Sequence, residues 1–335
     1  MDVSFPRTAV FQHDLGIGDL IFRLPYIRAI ARQSAGEKVT LIVRPTAKAL
    51  DLLRAEASIE SIIEYDRGRK RDQKGVHCGV LGHWRLMKEI QQGGFERIVI
   101  FSGKLRYGLI AAMAGIPIRI GYGGPGWGVL QRLFLTQGPS ITSYRGHLNS
   151  NYQLGTQLAI LHGFSDVALV PRLDVALEME SRWAPEFENV PSRRYIFAVG
   201  ASDKAKDWGM HNFAALATRL LISGNGVICL AGPAERELLL SLEQQVPVEF
   251  RSGLRVMVPP SVLDSAAIAR LCAVCIGNDT GMVNVAAACG LPTVLLIGNR
   301  PPLGHDSQIY PVTASSVAAI SVDDVFKVMC DHKLV

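Results

Sequence analysis

Short runs of hydrophobic residues alternate along the chain with longer segments in which hydrophobic positions recur at a helical period. Thr8–Gln12 and Arg97–Phe101 are two of these runs, and similar runs follow at intervals to the end of the sequence. Short apolar runs of this kind predict buried strands. A regular alternation of strand and helix is typical of βαβ units, whose strands lie parallel in one sheet. The pattern therefore predicts an α/β fold.

The alternation divides into two halves of similar size. In the first half it predicts strands at residues 8–12, 38–43, 59–65, 97–101 and 117–120, and helices at 20–33, 47–55, 83–92, 105–114 and 152–162. In the second half it predicts strands at 194–199, 226–231, 273–277 and 293–297, and helices at 212–222, 234–245, 262–271, 282–289 and 322–330. The Gly-rich residues 121–128 predict a loop.

A proline-containing segment of mixed polarity, residues 163–192, separates the two halves and is interpreted as the connection between domains. We therefore expect a first domain at residues 1–175 and a second domain at 176–320. A C-terminal helical segment at 321–335 follows, with the first domain as a candidate packing partner.

Composition describes a globular and mildly basic protein. The 335 residues suffice for two hydrophobic cores, and 48% hydrophobic with 19% charged residues argues against disorder. The formal net charge of +5 fits an anionic partner such as a nucleotide, a phosphorylated glycolipid or an acidic membrane surface. It is too small to indicate nucleic acid, and no nucleic-acid-binding motif is present.

Two further features bear on location and on metal chemistry. The first residues lack a basic segment followed by an apolar one, and no uncharged apolar stretch reaches about 18 residues, so we expect a cytoplasmic protein. Cys272 and Cys275 form a C-x-x-C pair without a second pair at zinc-site spacing. Buried, reduced thiols are the expectation, with no metal site.

The turn after the first predicted strand is the first candidate for chemistry. Gly16 and Gly18 allow a tight turn and a close approach of a ligand. A dinucleotide-binding site would need a third glycine, where Ile21 stands, and an acidic residue after the second strand, where Arg44 stands. Asp19 has two interpretations: a carboxylate that caps the helix, or a general base facing an interdomain cleft.

Three loops that follow strands of the second half are the next candidates. Residues 200–208 contain Ser202 and Lys206, which suit a phosphate, although a solvated loop is the alternative and no P-loop pattern is present. Glu235, after the next strand, is either a first-turn helix charge or a ligand for a ribose. Residues 277–281 end in Asp279, Thr280 and Gly281 at the start of a small-residue helix, whose free N–H groups suit an anion.

Taken together, these motifs resemble glycosyltransferase family 9, the ADP-heptose:lipopolysaccharide heptosyltransferases, and their order and spacing match along nearly the whole chain. The matching residues are Gly18-Asp19 with Pro25, Gly200-Ala201-Ser202 with Lys206 and Trp208, residues 232–235, 279–288 and 290–294, and the first-domain stretch 114–122.

The resemblance implies a GT-B fold, in which two Rossmann-like, doubly wound parallel-sheet domains face a central cleft. It implies an inverting, metal-independent transfer without a cofactor, with the acceptor on the N-terminal domain and the nucleotide-sugar on the C-terminal domain. ADP-heptose is the implied donor, and a lipopolysaccharide core or another cell-surface glycan is the implied acceptor. Contact with the cytoplasmic face of the inner membrane is a further expectation.

The resemblance also implies roles for individual residues. Asp19 would be the base, Lys206 would stabilise the leaving diphosphate, and the donor would be bound by Gly18, Ser202, Glu235, Asp279, Thr280, Gly281 and Asn284. Two departures stand out: Asn284 replaces the family histidine, and residues 297–302 replace a Phe-Gly-Pro-Thr-like stretch. An asparagine cannot be cationic, so leaving-group stabilisation or donor choice can differ.

Basic residues of the first half are candidates for the acceptor. Arg69 and Lys70, in the basic run 67–74, and Arg119 would contact an anionic glycolipid, and the run could also meet a membrane surface. A solvated loop is the alternative for such a run.

Three other functions remain open from the sequence. A degenerate family member would bind a nucleotide-sugar without transferring it, and Asn284 is its main support. A sugar-nucleotide epimerase shares the two-domain plan but needs no acceptor. A nicotinamide or flavin oxidoreductase would need the complete glycine fingerprint, which is missing.

Overall fold

The computed structural model describes residues 5–13, 16–68, 74–123, 126–138, 150–201, 203–300 and 306–335. The chain divides into two compact units, Met1–Val170 and Pro171–Val335. The predicted division at residue 175 lies close to this boundary. Each unit is a parallel sheet flanked by helices, so the α/β prediction is confirmed.

The first unit contains one parallel sheet in the order β3-β2-β1-β4-β5. Its strands are β1 (Thr8–Gln12), β2 (Val39–Val43), β3 (Ile59–Glu64), β4 (Arg97–Phe101) and β5 (Ile118–Ile120). Its helices are α1 (Ile17–Ala31), α2 (Ala49–Leu52), α3 (Gly79–Gln92), α4 (Leu105–Met113) and α5 (Ser150–Leu161). The central strands β1, β2 and β4 are buried at every position, which explains why they read as continuous apolar runs.

The second unit contains one parallel sheet in the order β11-β10-β9-β6-β7-β8. Its strands are β6 (Arg194–Ala198), β7 (Gly226–Leu230), β8 (Leu254–Met257), β9 (Val274–Asn278), β10 (Thr293–Leu296) and β11 (Ile309–Val312). Its helices are α6 (Leu177–Trp183), α7 (Met210–Ile222), α8 (Arg236–Gln245), α9 (Val262–Arg270), α10 (Gly281–Ala288) and α11 (Val322–Asp331). Strand order reverses between β6 and β9, which lie side by side.

The C-terminal segment belongs to the core of the second unit. Val325 and Met329 of α11 are fully buried there. The Tyr195 hydroxyl on β6 donates a 2.9 Å hydrogen bond to the carbonyl of Leu334. The sequence analysis separated this segment from the second domain and gave the first domain as its candidate packing partner. An amphipathic pattern predicts that one face of a helix is buried, but it does not show which sheet covers that face.

Two edge strands, one α-helix and a 3₁₀ helix were missing from the sequence-based prediction. The edge strands β8 and β11 are four residues long, only partly buried, and interrupted by Arg255 and Pro311, so neither shows a continuous apolar run. Helix α6 lies inside the segment that was interpreted as a connection. In the predicted loop 121–128, a 3₁₀ helix begins at Gly126 and continues to Phe134.

Candidate functional site

The polar loops of the second unit leave the sheet at one place. Strands β6 and β9 pair in parallel at the point where strand order reverses, so the loops after them start side by side. In open α/β sheets, ligands bind outside the carboxyl ends of the strands at such a switch point. The loops with Lys206 and Asp279 follow β6 and β9 respectively, so the predicted residues are brought to the expected position.

A buried asparagine ties these two loops together. Asn278, the last residue of β9, donates from Nδ2 to the carbonyl of Val199 at 2.9 Å and accepts from the backbone N–H of Trp208 at 3.1 Å. It is fully buried. Sequence reasoning missed this residue, although a polar residue at the end of an apolar strand is a usable signal, because buried polar groups need partners.

Lys206 is fixed by a single 3₁₀ turn, Lys204–Lys206. This turn lies in the loop that follows β6, residues 199–209, which we call the β6 loop. The Asp203 carboxylate starts that turn by accepting from the N–H of Ala205 at 3.0 Å. The Lys206 ammonium then lies 2.8 Å from Oδ2 of Asp279. Ser202, predicted to help bind the diphosphate, lies outside the described residues.

Asp279 forms a second ion pair that the sequence did not reveal. Nη1 of Arg300, in the loop after β10, lies 2.7 Å from the same Oδ2 atom. The Asp279 side chain is 10% exposed, whereas Lys206 and Arg300 are 30% and 40% exposed. Two accessible cations around one buried carboxylate leave one positive charge in excess, which suits an anionic ligand.

Helix α10 begins directly after Asp279. Thr280 is its N-cap, and its side chain makes no capping hydrogen bond among the described residues, so the first-turn N–H groups at Gly281 remain available to a ligand. Asn284 is buried and donates back to the carbonyl of Thr280 at 3.0 Å. Its Oδ1 atom is buried and accepts no hydrogen bond in the described part of the chain.

Glu235 also lies at this edge of the sheet. Its carboxylate accepts from the N–H of Gly232 at 3.0 Å, a local contact at the start of the turn after β7. A Cβ atom on Gly200 would lie 2.6 Å from Oε2 of Glu235, so the β6 loop passes directly over this carboxylate. A side chain at position 200 would displace the Glu235 carboxylate from this position, so Glu235 lies beside the loop that leads to Lys206.

The candidate base lies in the first unit. Asp19 is the third residue of α1, close to Gly18, and its Oδ2 accepts from the N–H of Gly16 at 3.0 Å. This contact is the capping role that the sequence offered as one interpretation. The side chain is half-buried, and its role as general base stays a prediction.

A basic pocket lies at the carboxyl end of β2 and β3. It has a volume of about 380 Å³ and is lined by Arg44, Pro45, Thr46, Lys48, Asp66, Gly68, Lys74 and Gly75. Arg44 is nearly buried and donates to the carbonyl of Gly68 at 2.9 Å, while its Nε atom makes no hydrogen bond among the described residues. Arg69 and Lys70, predicted to contact the acceptor, lie outside the described residues.

Three aromatic groups of the first unit remain neutral near pH 7, and one of them, Tyr65, lies under the guanidinium of Arg44. Burial raises the pKa of Tyr65 and of Tyr107, so both phenols keep their protons. Burial and the nearby charge of Arg67 lower the pKa of His83, so its imidazole is neutral as well. The positive charge of the pocket therefore comes from its arginine and lysine side chains.

Arg119 is held by backbone carbonyls of its own unit. Its Nε donates to Phe134 at 2.6 Å and its Nη1 donates to Ile116 at 2.5 Å. These bonds connect β5 with the end of the 3₁₀ helix that follows it. A role for Arg119 in binding an acceptor stays a prediction.

Three cysteines of the second unit, Cys229, Cys275 and Cys289, are buried, Cys78 and Cys272 are half-buried, and Cys330 is exposed. Burial raises the pKa of Cys272 and of Cys289 to about 12. Across the part of the chain that is described, no group of three or more His, Cys, Asp or Glu side chains could hold a metal ion.

Among the same residues, no helix has the length and hydrophobicity needed to cross a membrane.

Comparisons with known proteins identify the family of this chain. The model of glycosyltransferase family 9 (heptosyltransferase) matches residues 83–323. The lipopolysaccharide heptosyltransferases 2 of Escherichia coli K12 and Salmonella typhimurium LT2 are each 25% identical over 235 residues, which is 67% of this chain and 67% of the relative.

Two solved structures share the fold over almost the whole chain. The ADP-heptose lps heptosyltransferase II of E. coli superposes with a TM-score of 0.74 at 18% identity, covering 98% of this chain and 99% of the other. The family 9 glycosyl transferase of Veillonella parvula DSM 2008 superposes with a TM-score of 0.80 at 18% identity, covering 100% and 99%. The fold is that of the GT-B class of glycosyltransferases. The chain belongs to glycosyltransferase family 9, and its activity is glycosyl transfer.

Proposed function

We propose that this glycosyltransferase moves a sugar, with heptose from ADP-heptose as the first choice, onto an anionic cell-surface glycan such as a lipopolysaccharide core. The observation that carries the proposal is the pair of cations, Lys206 and Arg300, held on Asp279 beside the start of α10. The names of the curated relatives, both lipopolysaccharide heptosyltransferases, support heptose as the sugar.

The second unit would bind the donor. A nucleoside diphosphate sugar places two phosphate groups next to the bond that breaks, and negative charge develops there as the sugar leaves. Lys206 and the first-turn N–H groups of α10 are suited to stabilise that charge without a metal ion. Glu235 would bond the nucleoside, and Ser202 would add a contact to the diphosphate. Gly18, which belongs to the first unit, would be a further donor contact. Asp279 and Asn284 would contact the sugar.

The first unit would bind the acceptor and supply the base. Asp19 would take the proton from the acceptor hydroxyl as its oxygen bonds to the anomeric carbon. The bond from that carbon to the diphosphate oxygen breaks at the same time, with attack from the opposite face. The configuration is therefore inverted, the proton ends on Asp19, and the nucleoside diphosphate leaves with the electron pair.

The basic pocket of the first unit would bind an anionic group of the acceptor. Arg44, Lys48 and Lys74 line it. Arg69 and Lys70 are retained as further candidate contacts. The buried Arg44 and the exposed Lys48 and Lys74 together suit a phosphate or carboxylate of a glycolipid. Arg119 is retained as a further candidate, and the same basic surface would favour contact with an anionic membrane.

The test is a transfer assay with ADP-heptose and a lipopolysaccharide acceptor truncated before its heptoses, reading both ADP release and the mass of the acceptor. We expect Asp19→Asn to bind ADP-heptose normally and to lose turnover by about 10²–10⁴-fold, the usual contribution of a positioned base. Glu37→Gln, an exposed carboxylate outside the site, serves as the control. The wild-type rate should be unchanged in EDTA.

Other outcomes of the same assay identify the alternatives. Release of ADP or an altered donor without any gain in acceptor mass would indicate an epimerase or hydrolase. Donor binding with no turnover on any glycan acceptor would indicate a degenerate binding protein. Either result would overturn the proposed transfer.

A further inference from the structure

The loop after β10 brings a second cation into the candidate donor site. Strands β9 and β10 pair with Leu296 opposite Asn278, so the residues that follow each strand leave the sheet next to one another. Gly298 turns the loop with a φ of 62°, and its carbonyl accepts from the N–H of Ala314 at 3.2 Å. The position of Arg300 is therefore set by the backbone of the sheet edge.

Arg300 and Lys206 share one oxygen atom of Asp279. Their charged nitrogens lie 2.7 and 2.8 Å from Oδ2, and both side chains are more exposed than the carboxylate that they contact. A single carboxylate cannot neutralise two cations. The cluster thus holds a positive charge at the surface with its negative member buried.

The guanidinium group of Arg300 has donor capacity left for a ligand. Nη1 is used by Asp279, whereas Nη2 is buried and makes no hydrogen bond among the described residues. A guanidinium is a planar fork that can contact two acceptors at once, and it matches phosphate oxygens well. A buried donor without an acceptor is costly, so a bound anion would relieve that cost.

We propose that Arg300 and Lys206 act together as a two-cation clamp on the diphosphate of the donor, with Asp279 as the positioning residue that holds both cations before the donor arrives. This inference rests on the proposed function, because it specifies how the same site recognises its substrate. The two cations would contact the diphosphate and neither the base nor the sugar. Arg300 would therefore contribute to binding any nucleoside diphosphate, and also to binding inorganic pyrophosphate.

The experiment is calorimetric titration of ADP, AMP and inorganic pyrophosphate into wild type, Arg300→Gln and Arg300→Lys at two salt concentrations. The clamp predicts that Arg300→Gln weakens ADP and pyrophosphate binding by about 10–100-fold and AMP binding by less than threefold, with a smaller salt dependence. Arg300→Lys should recover part of the affinity, because it keeps the charge but loses the planar fork.

A matched control separates this role from an ordinary ion pair. Arg219 forms a 2.7 Å pair with Asp323 in the same unit and is 42% exposed, close to the 40% of Arg300. Arg219→Gln should leave all three affinities unchanged, and thermal melting of both variants would exclude unfolding as the cause.

The outcomes separate the clamp from the proposed function. If Arg300→Gln binds ADP and pyrophosphate like wild type while transfer proceeds, the clamp is wrong and the function stands. If pyrophosphate binding depends on Arg300 but no sugar transfer from any ADP-sugar is found, the clamp stands and the function is wrong. If wild type binds neither ADP nor pyrophosphate, both are wrong.

Discussion

At the scale of single residues, the candidate donor site depends on a few buried polar contacts that hold flexible side chains in place. Asn278 is the clearest case, because its side chain fixes the start and the end of the β6 loop from the neighbouring strand. Lys206 lies in that loop, just before Trp208. The geometry of the cation site therefore depends on an amide that need not touch the ligand.

We predict that Asn278→Ala destabilises the second unit by about 2–4 kcal/mol, because the carbonyl of Val199 and the N–H of Trp208 lose their buried partner. Nucleotide affinity should fall as well, because the loop that carries Lys206 is no longer held. Urea unfolding and ADP titration would measure the two effects. The control is Asn225→Ala, a partly exposed asparagine whose side chain also bonds to a backbone carbonyl. Equal stability of the two variants would contradict this assignment.

At the scale of elements, α1 carries the candidate base Asp19 in its first turn, and an ion pair near its other end anchors the helix. Arg28 near the end of the helix forms a forked ion pair with Glu56, with contacts at 2.6 and 3.2 Å. Burial alone would raise the pKa of Glu56, but the hydrogen bonds from Arg28 and Ser58 outweigh burial and hold the pKa below its ordinary value of 4.5. A lowered pKa means that the ionised form stabilises the folded state at neutral pH.

We predict that Glu56→Gln reduces the stability of the first unit at pH 7 by about 1–2 kcal/mol. In the wild type this contribution is present above pH 4.5 and is lost as the pH falls through the lowered pKa, so the variant and the wild type should converge in acid. Amide hydrogen exchange of α1 as a function of pH is the measurement. Glu60→Gln serves as the control, because Glu60 pairs with Arg7 at an exposed position. A constant difference at all pH values would contradict the argument.

At the scale of the whole molecule, the sequence predicted the parts of the fold that depend on local pattern. The buried strands β1, β2, β4, β6 and β7 are apolar at nearly every position and were located within a residue or two. The partly buried edge strands β8 and β11 lack that pattern and were missed. The resemblance to family 9 rested on motifs spread along the chain, and the family assignment is confirmed.

Some residues of the candidate site could also be predicted from the sequence, and others could not. Lys206, Glu235, Asp279 and Gly281 follow strands in the sequence, and the structure places all of them at one sheet edge. Arg300 and Asn278 could not be paired with their partners from the sequence, because their contacts depend on the parallel register of β9 with β10 and β6. No local pattern encodes that register.

Thermal melting with ADP, UDP, GDP and ADP-heptose shows whether the second unit binds a nucleoside diphosphate through Lys206. Lys206→Ala is compared with Lys204→Ala, an exposed lysine of the same 3₁₀ turn. A ligand at 100 times its Kd stabilises the folded state by about 2.7 kcal/mol. We predict that ADP and ADP-heptose stabilise wild type and Lys204→Ala by this amount and that Lys206→Ala loses the effect. Equal stabilisation of all three proteins, or none in the wild type, would contradict the account.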